Sequence, residues 1–298
     1  MPERTDDGNL ARFSGFADLY DANRPSPPRR MGAVLASYCG VEQPVVVDLG
    51  SGTGLSSRWA ATWAASVIGV EPNPDMRSQA AARPVDGVVY VDGVSHRTGL
   101  ASASADVVLA VQAMHWMDPE PTLAEVARIV RPGGVFATVD ADWPPVAGSV
   151  TAEQAWAKVH RRIRVFEARV ARGDTGAELR STIDDDDPAL LDEDLHDPHR
   201  NRAMPDGVRS WSKSQHLDRM RASGLFGFTR ELLFDEPADG GTPRFVALLR
   251  SQGSYQALRR HGLNDDELGV TTFEQEVQGT AAPLSLSFCW RVRLGVIR

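Results

Sequence analysis

Three glycines at alternate positions, Gly50, Gly52 and Gly54, follow the apolar run Val45-Val46-Val47 and the acidic residue Asp48. A strand that feeds a glycine-rich turn and then a helix brings free backbone N–H groups to the carboxyl end of a sheet, and a turn without side chains lets a ligand come up against the backbone. The next apolar run ends in Glu71, whose carboxylate is suited to accept both hydroxyls of a ribose. A dinucleotide fingerprint requires G-x-G-x-x-G with its third glycine inside the helix, and the spacing here, G-x-G-x-G, speaks against that class. Glycine turns of this kind also arise from protein packing alone, so the loop by itself leaves both readings open. Further on, His115 stands beside Trp116 after a fourth apolar run. An imidazole, with an ordinary pKa of about 6.5, is a usable general base at neutral pH; it is also a common pocket-shaping group.

The elements that must position these residues alternate. PVVVDLG (44–50), SVIGVE (66–71), GVVYVDG (87–93), ADVVLAV (105–111) and GGVFATVD (133–140) read as strands, and LSSRWAATWAA, PDMRSQAAAR and PEPTLAEVARIVRP as the helices between them. The last of these is closed by Arg131-Pro132-Gly133-Gly134 as a stop and turn. This is the pattern of a mostly parallel sheet covered by helices on both faces. LARFSGFADLYDANRP and PPRRMGAVLASYCG read as two further helices ahead of it. After residue 150 the alternation stops. A long amphipathic helix (151–173) and an acidic, proline-containing segment (184–199) form one insertion. A helix at SWSKSQHLDRMRASGLF and a strand at 228–237 resume the core. A second insertion carries TPRFVALLRSQGSYQALRRHG and NDDELGVTTFEQEVQGT as helices, and LSLSFCWRVRLGVI closes the chain as a strand paired with 228–237. The expected organisation is one domain over 1–298. Its core covers approximately 27–150, 205–237 and 284–298, with an N-terminal covering helix at 8–26 and cap insertions at 151–204 and 238–283 acting as a shared lid.

Composition narrows the partners. With 298 residues, 42% of them hydrophobic, the chain has enough apolar material for a substantial core. Its formal charge of −8, from 40 acidic against 32 basic residues, gives little support to binding of nucleic acid or anionic lipid. No signal-like or membrane-spanning apolar run is present, and two cysteines, Cys39 and Cys289, suit a reducing compartment, so a cytoplasmic location is expected. Lys158 and Lys213 are the only lysines. The acidic run 184–199 and the pair Asp140 and Asp142 invite a metal reading, but such runs are usually solvated loops and no metal is expected.

Taken in order, FADLYDANRPSPP, VVVDLGSGTGLSSRWA, VIGVEPNPDM and SADVVLAVQAMHWMDPEPTLAEVARIVRPGGVFATVD resemble the class I S-adenosylmethionine-dependent methyltransferases, in particular the small-molecule group with an HWMDP-type segment. The resemblance covers about residues 12–145. It implies a Rossmann-like seven-stranded, mostly parallel α/β sheet, with the last strand antiparallel and inserted between the fifth and sixth. It implies S-adenosyl-L-methionine as cofactor, with Gly50, Ser51 and Gly52 as backbone walls for its methionyl part. Asp48 would fix the loop or meet the ammonium, Glu71 would hold the ribose and Pro72 would lie against the adenine. Gly93, Val94 and Ser95 occupy a stretch where the family often carries an acidic residue for the adenine amino group; Val94 cannot supply it, which leaves backbone groups, Ser95 or Asp92. Gln112, together with Arg24 or Tyr20 from the N-terminal helix, would reach the cofactor's amino-acid end.

Methyl transfer from a sulfonium is an in-line displacement, for which alignment and exclusion of water are the main needs. His115 is the candidate base, and Trp116, Gln252 and Tyr255 are candidate contacts to the acceptor. The sequence therefore points to methylation of an O, N, S or C nucleophile on a small organic molecule, with secondary metabolism as the context. The alternative is a non-catalytic sensor of the cofactor or its product on the same scaffold.

Overall fold

The computed structural model describes residues 24–181, 183, 190, 202–203 and 209–298. The chain divides into two compact units, one formed by Pro25–Asp142, Trp211–Glu236 and Cys289–Arg298, the other including Trp143–Ser210 and Pro237–Phe288 together with Arg24.

The first unit is built on a seven-stranded sheet. Helix α1 (Arg29–Cys39) precedes β1 (Val45–Leu49), α2 (Leu55–Ala60), β2 (Ser66–Val70), α3 (Pro74–Ala81), β3 (Val88–Val91), β4 (Ala105–Val111), α4 (Pro119–Ile129) and β5 (Val130–Ala141). The strand order is β3-β2-β1-β4-β5-β9-β8, where β8 is Phe226–Ala238 and β9 is Leu286–Ile297. Strands β1 to β5 pair in parallel, whereas β9 runs antiparallel to β5. This is the sheet expected from the sequence, with helices on both faces.

Local chemistry explains the elements. β1 and β4 are covered on both faces and are correspondingly rich in Val, Leu and Ala. α3 starts at Asn73, whose Oδ1 accepts the N–H groups of Asp75 and Met76, with Pro74 at the first helical position. α4 also begins on a proline, Pro119, and turns Leu123, Val126 and Ile129 into a core that contains Val108 and Phe136. After β3 the chain returns across the sheet to place β4 beside β1, so the order reverses between these two strands. In open α/β sheets, ligands bind outside the carboxyl ends of the strands at such a reversal.

The boundary between α4 and β5 differs from expectation. Arg131-Pro132-Gly133-Gly134 has the composition of a turn, yet β5 already begins at Val130, which pairs with Ala105. The register then shifts, so that Val107 meets Val135. Gly133, at φ +79°, lets the extra residues bulge without ending the pairing.

The second unit is mainly helical. Its elements are α5 (Val150–Arg172), a single turn α6 (Gly176–Leu179), the two-stranded pair β6 (Arg202–Ala203) and β7 (Arg209–Ser210), α8 (Gly241–Arg250), α9 (Gly253–Arg260) and α10 (Val270–Gln278); α7 (His216–Ala222) belongs to the sheet unit. TPRFVALLRSQGSYQALRRHG, expected as one helix, breaks at Ser251 and Gln252 into α8 and α9, and the helix expected from Asn264 begins only at Val270. Trp156, Phe245 and Phe273 form the centre of this unit, with ring centroids 4.9–5.9 Å apart. Nearly all of the N-terminal helix 8–26, including Tyr20, and most of the acidic segment 184–199 lie outside the described residues.

Candidate functional site

The glycine loop leaves β1 with Gly50 and Ser51 both donating backbone N–H groups to Val70 O, at 2.8 and 3.2 Å. That ties the loop to the carboxyl end of β2. The three glycines then serve different neighbours. A side chain at Gly50 would meet Ala113 and the Met117 methyl, and one at Gly54 would collide with the Tyr90 phenol. At Gly52, with φ +54°, a Cβ would have nothing within 4 Å among the described residues. Of the three, only Gly52 therefore has no described atom within 4 Å of where its side chain would project, and Gly54 is explained by the protein's own β3.

Two buried carboxylates hold this loop. Asp48, completely buried at the end of β1, accepts the Ser56 and Ser57 hydroxyls on Oδ2 at 2.7 and 2.6 Å, fastening the strand to the first turn of α2. Its Oδ1 is buried and receives no hydrogen bond from the described residues. Burial pushes the carboxyl up to about 6, although the two serine hydroxyls pull it down. Glu71 accepts Gly52 N–H on Oε2 and Asn73 N–H on Oε1, each at 2.9 Å. Burial raises its pKa as well, against the backbone donors at Asn73 and Gly52. A carboxylate offers about four acceptor positions, so these two bonds leave room for two more donors. Pro72 follows half-buried, and Arg77 donates to Glu71 O at 2.6 Å while pairing with Asp92 at 2.9 Å.

The stretch after β3 is a tight turn, in which Val94 and Arg97 exchange backbone hydrogen bonds. Gly93 is closed in by Val70 and Thr98, and the Ser95 hydroxyl lies 2.8 Å from the Thr122 hydroxyl of α4. The side chains of Ser95 and Asp92, the two alternatives to an acidic residue at Val94, are thus both engaged within the protein.

At the end of β4, Gln112 takes φ +53°, a left-handed conformation that costs a non-glycine residue about 1–3 kcal/mol and concentrates at functional sites. Its side-chain Oε1 accepts from Lys213 Nζ at 2.5 Å. The turn Met114–Trp116 follows and carries His115, whose ring centroid is 4.6 Å from that of Trp116. His115 is buried, and its Nδ1 lies 3.9 Å from Asp140 Oδ1 at the end of β5. The same carboxylate pairs with Lys213 Nζ at 3.0 Å and Arg293 Nη1 at 3.5 Å, and Arg293 in turn pairs with Glu231 at 2.9 Å. Trp211 N–H donates to His115 O at 2.8 Å, so the segment 211–213 is laced onto the ends of β4 and β5.

The sequence reading missed Lys213, Arg293, Glu231 and His216 as members of this cluster. Lys213 carried a signal, being one of two lysines among 32 basic residues. The others come from strands and a helix far along the chain, and only the sheet order brings them together. Asp140 and Asp142 face ammonium and guanidinium groups, Asp142 pairing with Arg291 at 2.9 Å. Among the described residues no group of three His, Cys, Asp or Glu side chains could hold a metal. No described helix is long and apolar enough to cross a membrane.

Arg24, Gln252 and Tyr255 belong to the helical unit. There Arg24 donates to Ser251 O at 3.4 Å and lies over the Trp143 ring at 4.8 Å from its centroid. Gln252 precedes α9. Tyr255 is buried, with its hydroxyl donating to Asp265 Oδ1 at 2.6 Å, so that hydroxyl braces α9 against the loop before α10.

Residues 47–138 match the family model described as a methyltransferase domain. An uncharacterised methyltransferase of Mycobacterium tuberculosis is 34% identical over 123 residues, covering 41% of this chain and 49% of that protein. A dimethylglycine N-methyltransferase of Parasynechococcus marenigrum is 35% identical over 102 residues, covering 32% and 36%. The chain thus spans at most about half the length of these relatives. A solved structure from Anaeromyxobacter dehalogenans, named as a "Putative Type II Methyltransferase", shares the fold at TM-score 0.55 and 23% identity, over 92% of this chain and 97% of that one.

Proposed function

We propose that the protein, whose residues 47–138 match a methyltransferase domain, transfers a methyl group from S-adenosylmethionine to a nucleophilic atom of a small organic molecule. The observation that carries the proposal is the pairing of Gly52, open where a side chain would project, with the Glu71 carboxylate that accepts its N–H. The residues present fit the cofactor: Glu71 retains acceptor positions for ribose hydroxyls, and the buried Asp48 Oδ1 retains one for an ammonium or a bridging water.

When bound, S-adenosylmethionine supplies a methyl group activated by a sulfonium. The chain's own residues supply the rest. Gly50, Ser51 and Gly52 form the wall against the methionyl part, with Asp48 holding that wall in shape through Ser56 and Ser57. Pro72 and the Gly93–Ser95 turn border the adenine, and backbone groups carry its recognition, because Val94 has no acceptor and Ser95 is bonded to Thr122. Gln112, fixed by Lys213, reaches the amino-acid end. His115 receives the acceptor's proton where the acceptor arrives protonated, and Trp116 is assigned to the acceptor side. An intracellular role in secondary metabolism is the context we favour.

The test is formation of S-adenosylhomocysteine from S-adenosylmethionine across a panel of phenols, amines, thiols and carboxylates. Turnover with any of them supports the enzyme. Tight binding without turnover across the panel would instead favour a sensor of the cofactor.

A further inference from the structure

The strand ends set out the reacting partners in order. Glu71 follows β2, Gly50 to Gly52 follow β1 and Gln112 follows β4, and these three strands are neighbours in the sheet. A cofactor running from Glu71 to Gln112 covers three strand ends about 5 Å apart. The acceptor then belongs beyond β4, over β5, which carries Asp140 near its carboxyl end.

The side chain that stands there is Lys213. Its Nζ lies 2.5 Å from Gln112 Oε1 and 3.0 Å from Asp140 Oδ1. An ammonium has three N–H donors, so these two partners take two of them and fix the direction of the third. Among the described residues nothing accepts that third N–H, and the side chain is 32% exposed, against 6% for Arg293. Asp140 and Glu231 share Arg293, at 3.5 and 2.9 Å, while Asp142 and Glu231 share Arg291, each at 2.9 Å. Three carboxylates thus face two guanidinium groups and Lys213, and these charges balance among themselves. A sulfonium brought to this edge adds a positive charge that falls to the acceptor to meet.

We infer that Lys213 binds the methyl acceptor, donating its third N–H to an acceptor oxygen, and that the acceptor is an oxyanion, either a carboxylate or an ionised phenol. The inference rests on the methyl-transfer reading above. An oxyanion held by Lys213 in line with the sulfonium attacks the methyl carbon with an oxygen lone pair. The O–C bond forms, the C–S bond breaks and its electron pair stays on sulfur, leaving a neutral ester or ether and a neutral thioether. The charges of oxygen and sulfonium cancel and no proton moves, so an acceptor of this class needs alignment and no base. Gln112 and Asp140 serve by holding the ammonium in one place, which lowers the cost of ordering it around the acceptor.

Lys213 and Lys158 are the only lysines, so NMR of the full chain labelled with 13C,15N-lysine gives two side-chain signals, assigned with Lys158→Arg. With and without S-adenosylhomocysteine, benzoate and 4-nitrophenolate are titrated in, with benzyl alcohol as a neutral probe of similar size. A saturable shift of the Lys213 signal with benzoate assigns carboxylates, and one with 4-nitrophenolate assigns phenols; benzyl alcohol should leave it in place. Lys213→Met should weaken calorimetric binding of the anion that shifts the signal by about tenfold or more, as expected for a hydrogen bond to a charged group. Lys213→Arg, which keeps the charge, should restore most of that loss. A Lys213 signal unmoved by both anions, or moved as far by benzyl alcohol, overturns the inference, as does methyl transfer to amines without any to acids or phenols. Anion binding at Lys213 in a protein that methylates nothing would count against the methyl-transfer reading and leave the anion site standing.

Discussion

The Glu71 carboxylate accepts the backbone N–H of Gly52 at 2.9 Å, joining the carboxyl end of β2 to the loop that leaves β1. One acidic side chain thus shapes the loop. Replacing it should damage ligand binding more than folding. Glu71→Ala is expected to weaken S-adenosylhomocysteine binding by about 1.5–3 kcal/mol, the range for hydrogen bonds to a charged group. Calorimetry on the folded variant measures it, and unchanged affinity would remove Glu71 from the site.

Gly52 and Gly54 should separate in their effects. Gly54, at φ +81°, lies against Tyr90, so Gly54→Ala adds a steric collision to a left-handed backbone that alone costs about 1–2 kcal/mol. Thermal unfolding should show Gly54→Ala to be the more destabilising of the two alanine variants, and trimming Tyr90 to Leu should recover part of the loss. Equal destabilisation at both positions would contradict the assignment of Gly54 to packing.

Two buried groups bend the stability profile in opposite directions. Asp48 is pushed up from 3.8 to about 6, chiefly by burial. Between about pH 4 and pH 6 the folded protein holds a proton that the unfolded chain has released, so this contribution falls as pH rises. His216 is taken down from 6.5 to about 4, also chiefly by burial. Here the unfolded chain binds a proton that the folded protein refuses, so the contribution rises with pH over about pH 4 to 6.5. Urea unfolding across this window should show Asp48→Asn gaining stability relative to wild type as pH rises, and His216→Gln losing it. Differences that stay flat with pH would show that neither group titrates abnormally.

The sheet was legible because its strands are short apolar runs punctuated by glycine and proline, and the helices between them carry their own caps, as at Asn73. What eluded the sequence was contact over distance. Nothing local marks Gly54 as serving Tyr90 rather than a ligand, or Ser95 as bonded to Thr122. The Asp140 cluster draws on β4, β5, β8, β9 and the segment after Trp211, and only the insertion of β9 between β5 and β8 brings Arg293 to Asp140. The start of β5 at Val130 was hidden for another reason. Pro132, Gly133 and Gly134 have the composition of a turn, but a bulge absorbs them within the pairing.

That Gly52 opens a cofactor site is checked by calorimetric titration of S-adenosylhomocysteine into wild-type protein and Gly52→Val. A β-branched side chain at position 52 would meet no described atom within 4 Å, at a cost of about 1–2 kcal/mol for the left-handed φ of +54°, so the variant, checked as folded by thermal unfolding, should lose the ligand. The account predicts saturable binding to the wild type and a loss of at least about tenfold in the variant, equivalent to about 1.4 kcal/mol. Equal affinity in both proteins, or no binding to the folded wild type, would contradict it.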